Sequence, residues 1–227
     1  MNPLTIHHLC LNNEVQTIKL RISRRWDCVQ TISRMRYGIA FVGIDYQIFK
    51  SYAHLFRNMI IEGNVYQITN FIVPNPQILD VSTRTSYFMF SHENTIIHQV
   101  SDPSGIYPRH FFDFTGENNL DDENIWETHL TDVIGVIKSI VRTTYLLMSS
   151  GNSVGRKDIK VMTLRKLAMS LWEILYITLD IPMHIATRPR LVVIFSGMRV
   201  RNYYVGISLT STSASRAYVN LDIPETS

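Results

Sequence analysis

Five arginines, Arg21, Arg24, Arg25, Arg34 and Arg36, gather around Trp26 in a short stretch of the chain. Cations that follow phosphates, beside a flat ring on which planar groups stack, are what a protein needs to hold a single nucleic-acid strand without reading its bases. Two readings of this cluster stand side by side. In one, Trp26 is a stacking plate among phosphate contacts; in the other, the arginines form a solvated edge and the ring packs a barrel floor. Further along, Arg156 and Lys157 follow a loop that contains Gly151 and Gly155, and Arg199 and Arg201 flank a second loop. These four are placed to clamp a strand, although singly each also serves solubility. Lys50 is a weaker phosphate candidate, while Phe71 and Phe90 are assigned to the core.

Catalytic patterns do not appear. There is no GxxxxGK[ST] phosphate loop, no HExxH and no GxSxG. His7 and His8 are adjacent and diverge on an extended chain, and His92 and His98 have no partnering cysteine pattern. The run Asp121, Asp122 and Glu123 points its carboxylates in different directions and hydrates easily, so it makes a poor metal cluster. The expectation is a protein without catalysis, metal or cofactor.

The elements that position these residues must be built from 227 residues, 45% of them hydrophobic and 18% charged. That length predicts one large domain or two small ones, and the apolar share argues against disorder. Cys10 and Cys28 are too few for a disulfide scaffold and form no CxxC pair, which makes a reduced intracellular compartment the default. No apolar run reaches membrane-spanning length, and the start MNPLTIHHLC does not resemble a signal peptide, so neither is predicted.

The net charge of +3 conceals its distribution. Residues 1–112 carry ten Lys/Arg against seven Asp/Glu, residues 113–132 carry none against seven, and residues 133–227 carry twelve against five. The middle segment, DFTGENNLDDENIWETHLTD, has few aliphatic residues and no periodicity. It is read as an acidic linker between two domains of about 100 residues, against the alternative of a solvated loop inside one domain.

In the second half, VIGVIKSIV (133–141) is a β-branched strand, and TTYLLMSSGNSVGRK after it reads as a long loop. DIKVMTL and LAMSLW form two strands joined through Arg165 and Lys166. EILYITL opens a short helix with Leu175 and Leu179 on one face, stopped by Pro182. RLVVIFSGMRV is a strand with Gly197 at a bulge or bend, and ISLTSTSASRAYV follows as the fifth. Five strands with a helix between the third and fourth is the order of an OB barrel. The first half repeats it: a strand over 17–26, two strands within 37–49 around Gly43, an amphipathic helix over SYAHLFRNMI, a strand over 64–73 and a last one over 86–90. The predicted fold class is therefore all-β, with two tandem OB folds, each a five-stranded Greek-key barrel with a short helix between its third and fourth strands.

These segments resemble the large subunit of replication protein A, especially plant-type and transposon-associated relatives with consecutive OB folds. The carriers are IKLRISRRW, EGNVYQITNFIV, IYPRHFFDFTGENNL, LTDVIGVIKSI, GRKDIKV, MSLWE and GMRVRNYYVGISLTSTSASRAYVNLDIPE, in the family's order. Two departures stand out. The acidic turn usual between the second and third strands is replaced by RYGIAFVG and TLRK, and the third OB fold with its cysteine-bound zinc is missing, as in a fragment or a short paralog.

The resemblance matches Trp172 and Tyr203 to the family's two base-stacking positions, with Tyr replacing the usual Phe and Tyr204 as the neighbouring candidate. It implies single-stranded DNA as the partner, with other replication protein A-like subunits, in nuclear DNA replication, repair or recombination, and no membrane. Two linked sites make the second binding event intramolecular. The more positive second barrel is expected to bind better. The rival reading is a degenerate paralog that keeps the barrels as a protein-interaction module and has lost strand binding.

Overall fold

The computed structural model describes residues 8–10, 16–29, 36–45, 50–55, 60–73, 87–114, 120–121, 130–147, 151, 153–163, 166–179, 191–203 and 206–223. Backbone contacts divide the chain into two units, Met1–Phe111 and Phe112–Ser227. No helix among the described residues is long and apolar enough to cross a membrane.

The first unit contains β1 (Thr17–Val29), β2 (Arg36–Ile44), β3 (Lys50–Leu55), β4 (Val65–Ile72) and β5 (Tyr87–Val100). They close in the order β1-β2-β3-β5-β4, with β1 meeting β4 and β3 running parallel to β5. This is the OB ring. Alternation in β1 sends Ile18, Leu20 and Ile22 inward against Phe41, Ile68 and Phe71, all fully buried. Phe71 is thus a core residue, as expected, whereas the side chain of Phe90 lies outside the described residues.

Two elements of this barrel differ from expectation. Residues 37–44 belong to a single strand: β2 ends at Ile44, and β3 begins at Lys50. The start of SYAHLFRNMI is not helical but forms β3, which pairs on one side with β2 and on the other with β5. Two sheet seams outweigh the weak helical spacing of a short segment. Residues 56–59 lie outside the described residues.

The second unit contains β6 (Leu130–Leu147), β7 (Ser153–Met162), β8 (Lys166–Trp172), α1 (Glu173–Thr178), β9 (Val192–Tyr203), β10 (Gly206–Thr210) and β11 (Arg216–Val219). β10 lies parallel to β8 and antiparallel to β9, which closes β6-β7-β8-β10-β9 into the same ring. The expected helix is present here, with Leu175 and Leu179 buried in the core. Gly197 sits at the expected irregularity: Thr131 and Val133 face Met198 and Phe195, so β9 carries an extra residue, and Gly197 takes φ 72°, which favours glycine. The expected fifth strand is split into β10 and β11 by a turn in which Ser215 Oγ donates to the Gly197 carbonyl at 2.6 Å.

The predicted loop after residue 141 is instead a hairpin arm. β6 continues to Leu147 and pairs with β7 from Arg142↔Asp158 out to Leu147↔Ser153. Gly155 permits this arm to lie against α1, because a Cβ there would collide with the Tyr176 ring. The acidic segment also ends differently from the reading of 113–132 as linker. Leu130–Asp132 already belong to β6, and the buried Asp132 carboxylate accepts hydrogen bonds from Ser196 Oγ, from Gly197 N at 2.9 Å and from Asp113 N at 3.0 Å.

Candidate nucleic-acid interface

Strand alternation divides the second barrel into two surfaces. Ile159 and Val161 of β7, Met169 and Leu171 of β8, Leu209 of β10 and Val200 of β9 point into the core. Their neighbours in sequence therefore share the outer face. Register aligns them in rows: Arg156 opposite Trp172, Asp158 opposite Ser170, Lys160 opposite Ala168, then Thr210 beside Ser170 and opposite Arg199, with Ser208 beside Ala168 and opposite Arg201.

Trp172 is half-buried at the end of β8. Its backbone N–H donates to Ser211 Oγ at 2.8 Å, and its indole Nε1 donates to Thr210 Oγ1 at 3.1 Å. Both bonds cross the parallel seam and fix the ring on the outer face. The Arg156 guanidinium lies over that ring, 5.3 Å from its centroid. Charge and ring therefore meet here in one structure.

Arg156 does not stand alone. Its Nε and Nη2 donate to Asp158 Oδ1 and Oδ2 at 2.9 and 2.6 Å, Ser170 Oγ donates to Oδ1 at 2.7 Å, and Arg142 Nη2 reaches Oδ2 at 3.2 Å. Burial raises the Asp158 pKa, but the hydrogen bonds from Arg156 and Ser170, the Arg156 charge and the Arg142 hydrogen bond outweigh it and leave the group below the ordinary aspartate value. A carboxyl held below its unfolded pKa contributes stability at neutral pH that disappears as pH falls from the ordinary aspartate range through the lower folded value. Acid denaturation of the wild type should therefore include a loss in that window that Asp158→Asn lacks, measured by urea unfolding between about pH 2 and 5.

Lys157 does not join this face. Adjacent to Arg156, it faces the opposite way, and its Nζ donates to the carbonyls of Leu179 at 3.0 Å and Tyr176 at 3.3 Å, with the Tyr176 ring 5.3 Å away. It satisfies the orphan carbonyls at the end of α1 instead of facing a strand. Arg201 is half-buried on the outer face, opposite Ser208. Tyr203 ends β9 with its backbone opposite Gly206; its side chain and the whole of Tyr204 lie outside the described residues.

The arginine cluster of the first barrel is largely structural. Arg24 is 3% exposed, too buried to meet a phosphate. The reason is a bulge: Ile22 and Arg24 face the adjacent residues Gly43 and Val42, so Ser23 is extra and three successive residues of β1 are buried. Arg21 ties a corner together, with its Nε donating to the Tyr107 carbonyl at 3.0 Å and its Nη2 paired with Asp102 Oδ2 at 2.7 Å. Arg25 gives Nη1 to the Ile60 carbonyl at 2.8 Å and its backbone N–H to Glu62 Oε2 at 3.1 Å. Trp26 is half-buried opposite Ala40. Arg34 and the side chains of Arg36 and Lys50 lie outside the described residues.

The residues that sequence reasoning passed over are Lys160, Asp158, Ser170 and Thr210. A period of two counted forward from Arg156 and backward from Trp172 would have placed the first three on the same face. Among the described residues, no three His, Cys, Asp or Glu side chains gather into a possible metal site.

No protein-family model matches the chain, and no curated protein matches it. Solved structures do. The chain is similar to a replication protein A heterotrimer bound to single-stranded DNA, with TM-score 0.60 and 20% identity over 98% of this chain and 53% of that one. It thus spans about half the length of that neighbour. It is also similar to the p204 HINb domain, with TM-score 0.51 and 9% identity over 92% of this chain and 98% of that one. At these identities the likeness establishes the fold, a pair of OB barrels.

Proposed function

We propose that this protein is a non-catalytic single-stranded DNA-binding module, similar to the replication protein A large subunit, in which the second barrel supplies the principal site. The observation that carries this reading is Trp172, fixed on the outer sheet face with Arg156 on its ring and with Lys160, Arg199 and Arg201 in neighbouring rows. An aromatic plate amid cations suits a strand whose bases stack and whose phosphates need neutralising. The neighbour solved with single-stranded DNA uses the same fold, which supports the choice of ligand class. On this reading the natural setting is the nucleus, in replication, repair or recombination, alongside other replication protein A-like subunits.

One observation favours the rival, a protein-interaction module. The hairpin arm exposes Tyr145 (69%) and Leu147 (76%), and α1 exposes Ile177 (75%). Fluorescence anisotropy of the whole chain with labelled oligo-dT across a salt series separates the two readings. Strand binding predicts affinity that falls linearly in log–log form, with a slope of about 0.7 per phosphate neutralised. Absence of binding at low salt by folded protein leaves the protein-interaction reading.

A further inference from the structure

We propose that Asp158 is an internal stand-in for phosphate, which occupies the cationic fork of the strand face and thereby makes base stacking a condition of binding. The inference rests on the strand-binding reading above and concerns its selectivity.

An arginine fork grips a carboxylate or a phosphate through the same pair of parallel N–H···O bonds. In this barrel the fork of Arg156 is filled: Nε and Nη2 each hold one oxygen of Asp158. The same carboxylate draws in Arg142 Nη2 from β6 and Ser170 Oγ from β8, so one anion anchors side chains on three strands. Its side chain is 18% exposed, against 60% for Arg142. The carboxylate is sheltered while one of its guanidinium partners remains open to solvent.

Two consequences follow for a polyanion reaching this face. A phosphate that engages the Arg156 fork must first displace Asp158, and it meets a negative charge at the point of contact. Backbone charge alone is therefore poorly rewarded, which is a device against the wrong ligand. A strand with bases has a second source of affinity in the Trp172 ring, whose own hydrogen bonds go to Thr210 and Ser211 and not to Asp158. Asp158 is thus a specificity-determining residue that favours nucleic acid over polyanions without bases.

The test compares wild type, Asp158→Asn and Asp158→Glu against labelled oligo-dT and against inorganic polyphosphate, each across a salt series. Asparagine is expected to raise polyphosphate affinity about tenfold and dT affinity about threefold at low salt. It should also steepen the dT salt slope by about 0.7 to 1.4, the equivalent of one or two further phosphates. Glutamate should restore the wild-type preference, a rescue that a purely structural role would not produce together with the slope. If asparagine unsettles the fold, seen as a lost thermal transition, Asp158→Ser provides the same comparison. Unchanged polyphosphate and dT binding in the neutral variant overturns the proposal while wild-type dT binding keeps the strand reading. A gain for polyphosphate with no dT binding by any form keeps Asp158 as an anion gate and removes the strand reading. No binding of either ligand by any form overturns both.

Discussion

Trp172→Ala should lower the affinity for oligo-dT by about 5- to 150-fold, the equivalent of the ~1 to 3 kcal/mol that stacking one base contributes. The ring is held by Thr210 Oγ1 on one edge and covered on a face by the Arg156 guanidinium. Alanine removes both the platform and the surface on which that cation rests. Because the lost contact is stacking, the salt slope should change little while the whole line drops. Trp172→Phe keeps a π face and should retain most of the affinity. Anisotropy at several salt concentrations reads both quantities, and an alanine variant that binds like wild type would remove Trp172 from the interface.

The second large effect concerns folding. Asp132→Ala should destabilise the second barrel by about 3 to 5 kcal/mol, because it strands several buried donors at once. The carboxylate is 3% exposed and receives Ser196 Oγ, Gly197 N and Asp113 N. It serves the bulge of β9, where the extra residue turns an amide away from the ladder and that amide needs another acceptor. Asp132→Asn keeps one acceptor oxygen but presents an NH₂ group to donors, so an intermediate loss is expected. Urea unfolding should show a lower midpoint for the second barrel's transition and an unchanged one for the first. Equal midpoints for wild type and alanine would deny the carboxylate this role.

The fold was legible where side-chain alternation and glycine placement act locally. β1, β4, β9 and α1 were each visible as a segment, although β1 and β9 run three residues past their expected ends to Val29 and Tyr203, and Gly197 marked its own bulge. β3 was not, because SYAHL becomes a strand through pairing with β2 on one side and, on the other, with β5, which lies more than thirty positions further along the chain. The arm was missed for a related reason. Tyr145, Leu146 and Leu147 are exposed apolar residues beside Gly and Ser, a composition that reads as loop until the pairing with β7 is known.

The candidate site shows the same division. Trp172 and Arg156 were identifiable from residue type and motif, and register brings them opposite each other. Arg24 and Lys157 misled because charge in a sequence does not reveal its direction. A bulge at Ser23 buries the first, and the alternation of β7 turns the second toward the end of α1. Asp158 was invisible as a functional group, since its meaning depends on three side chains from three strands converging on it.

The two hydrogen bonds that hold Trp172 to Thr210 and Ser211 also carry a consequence for the order of assembly. They join residues 38 and 39 positions apart across the seam between β8 and β10. The indole cannot acquire its final surroundings until the chain beyond β9 has folded back, so during synthesis this barrel stays open until residue 211 has emerged. Contacts of such separation carry a loop-closure penalty that local hairpins escape. The ring offered as a platform for bases is therefore also an intrinsic clock: in a variant with Trp26 and Trp126 replaced by Phe, its emission should change as the seam between β8 and β10 closes.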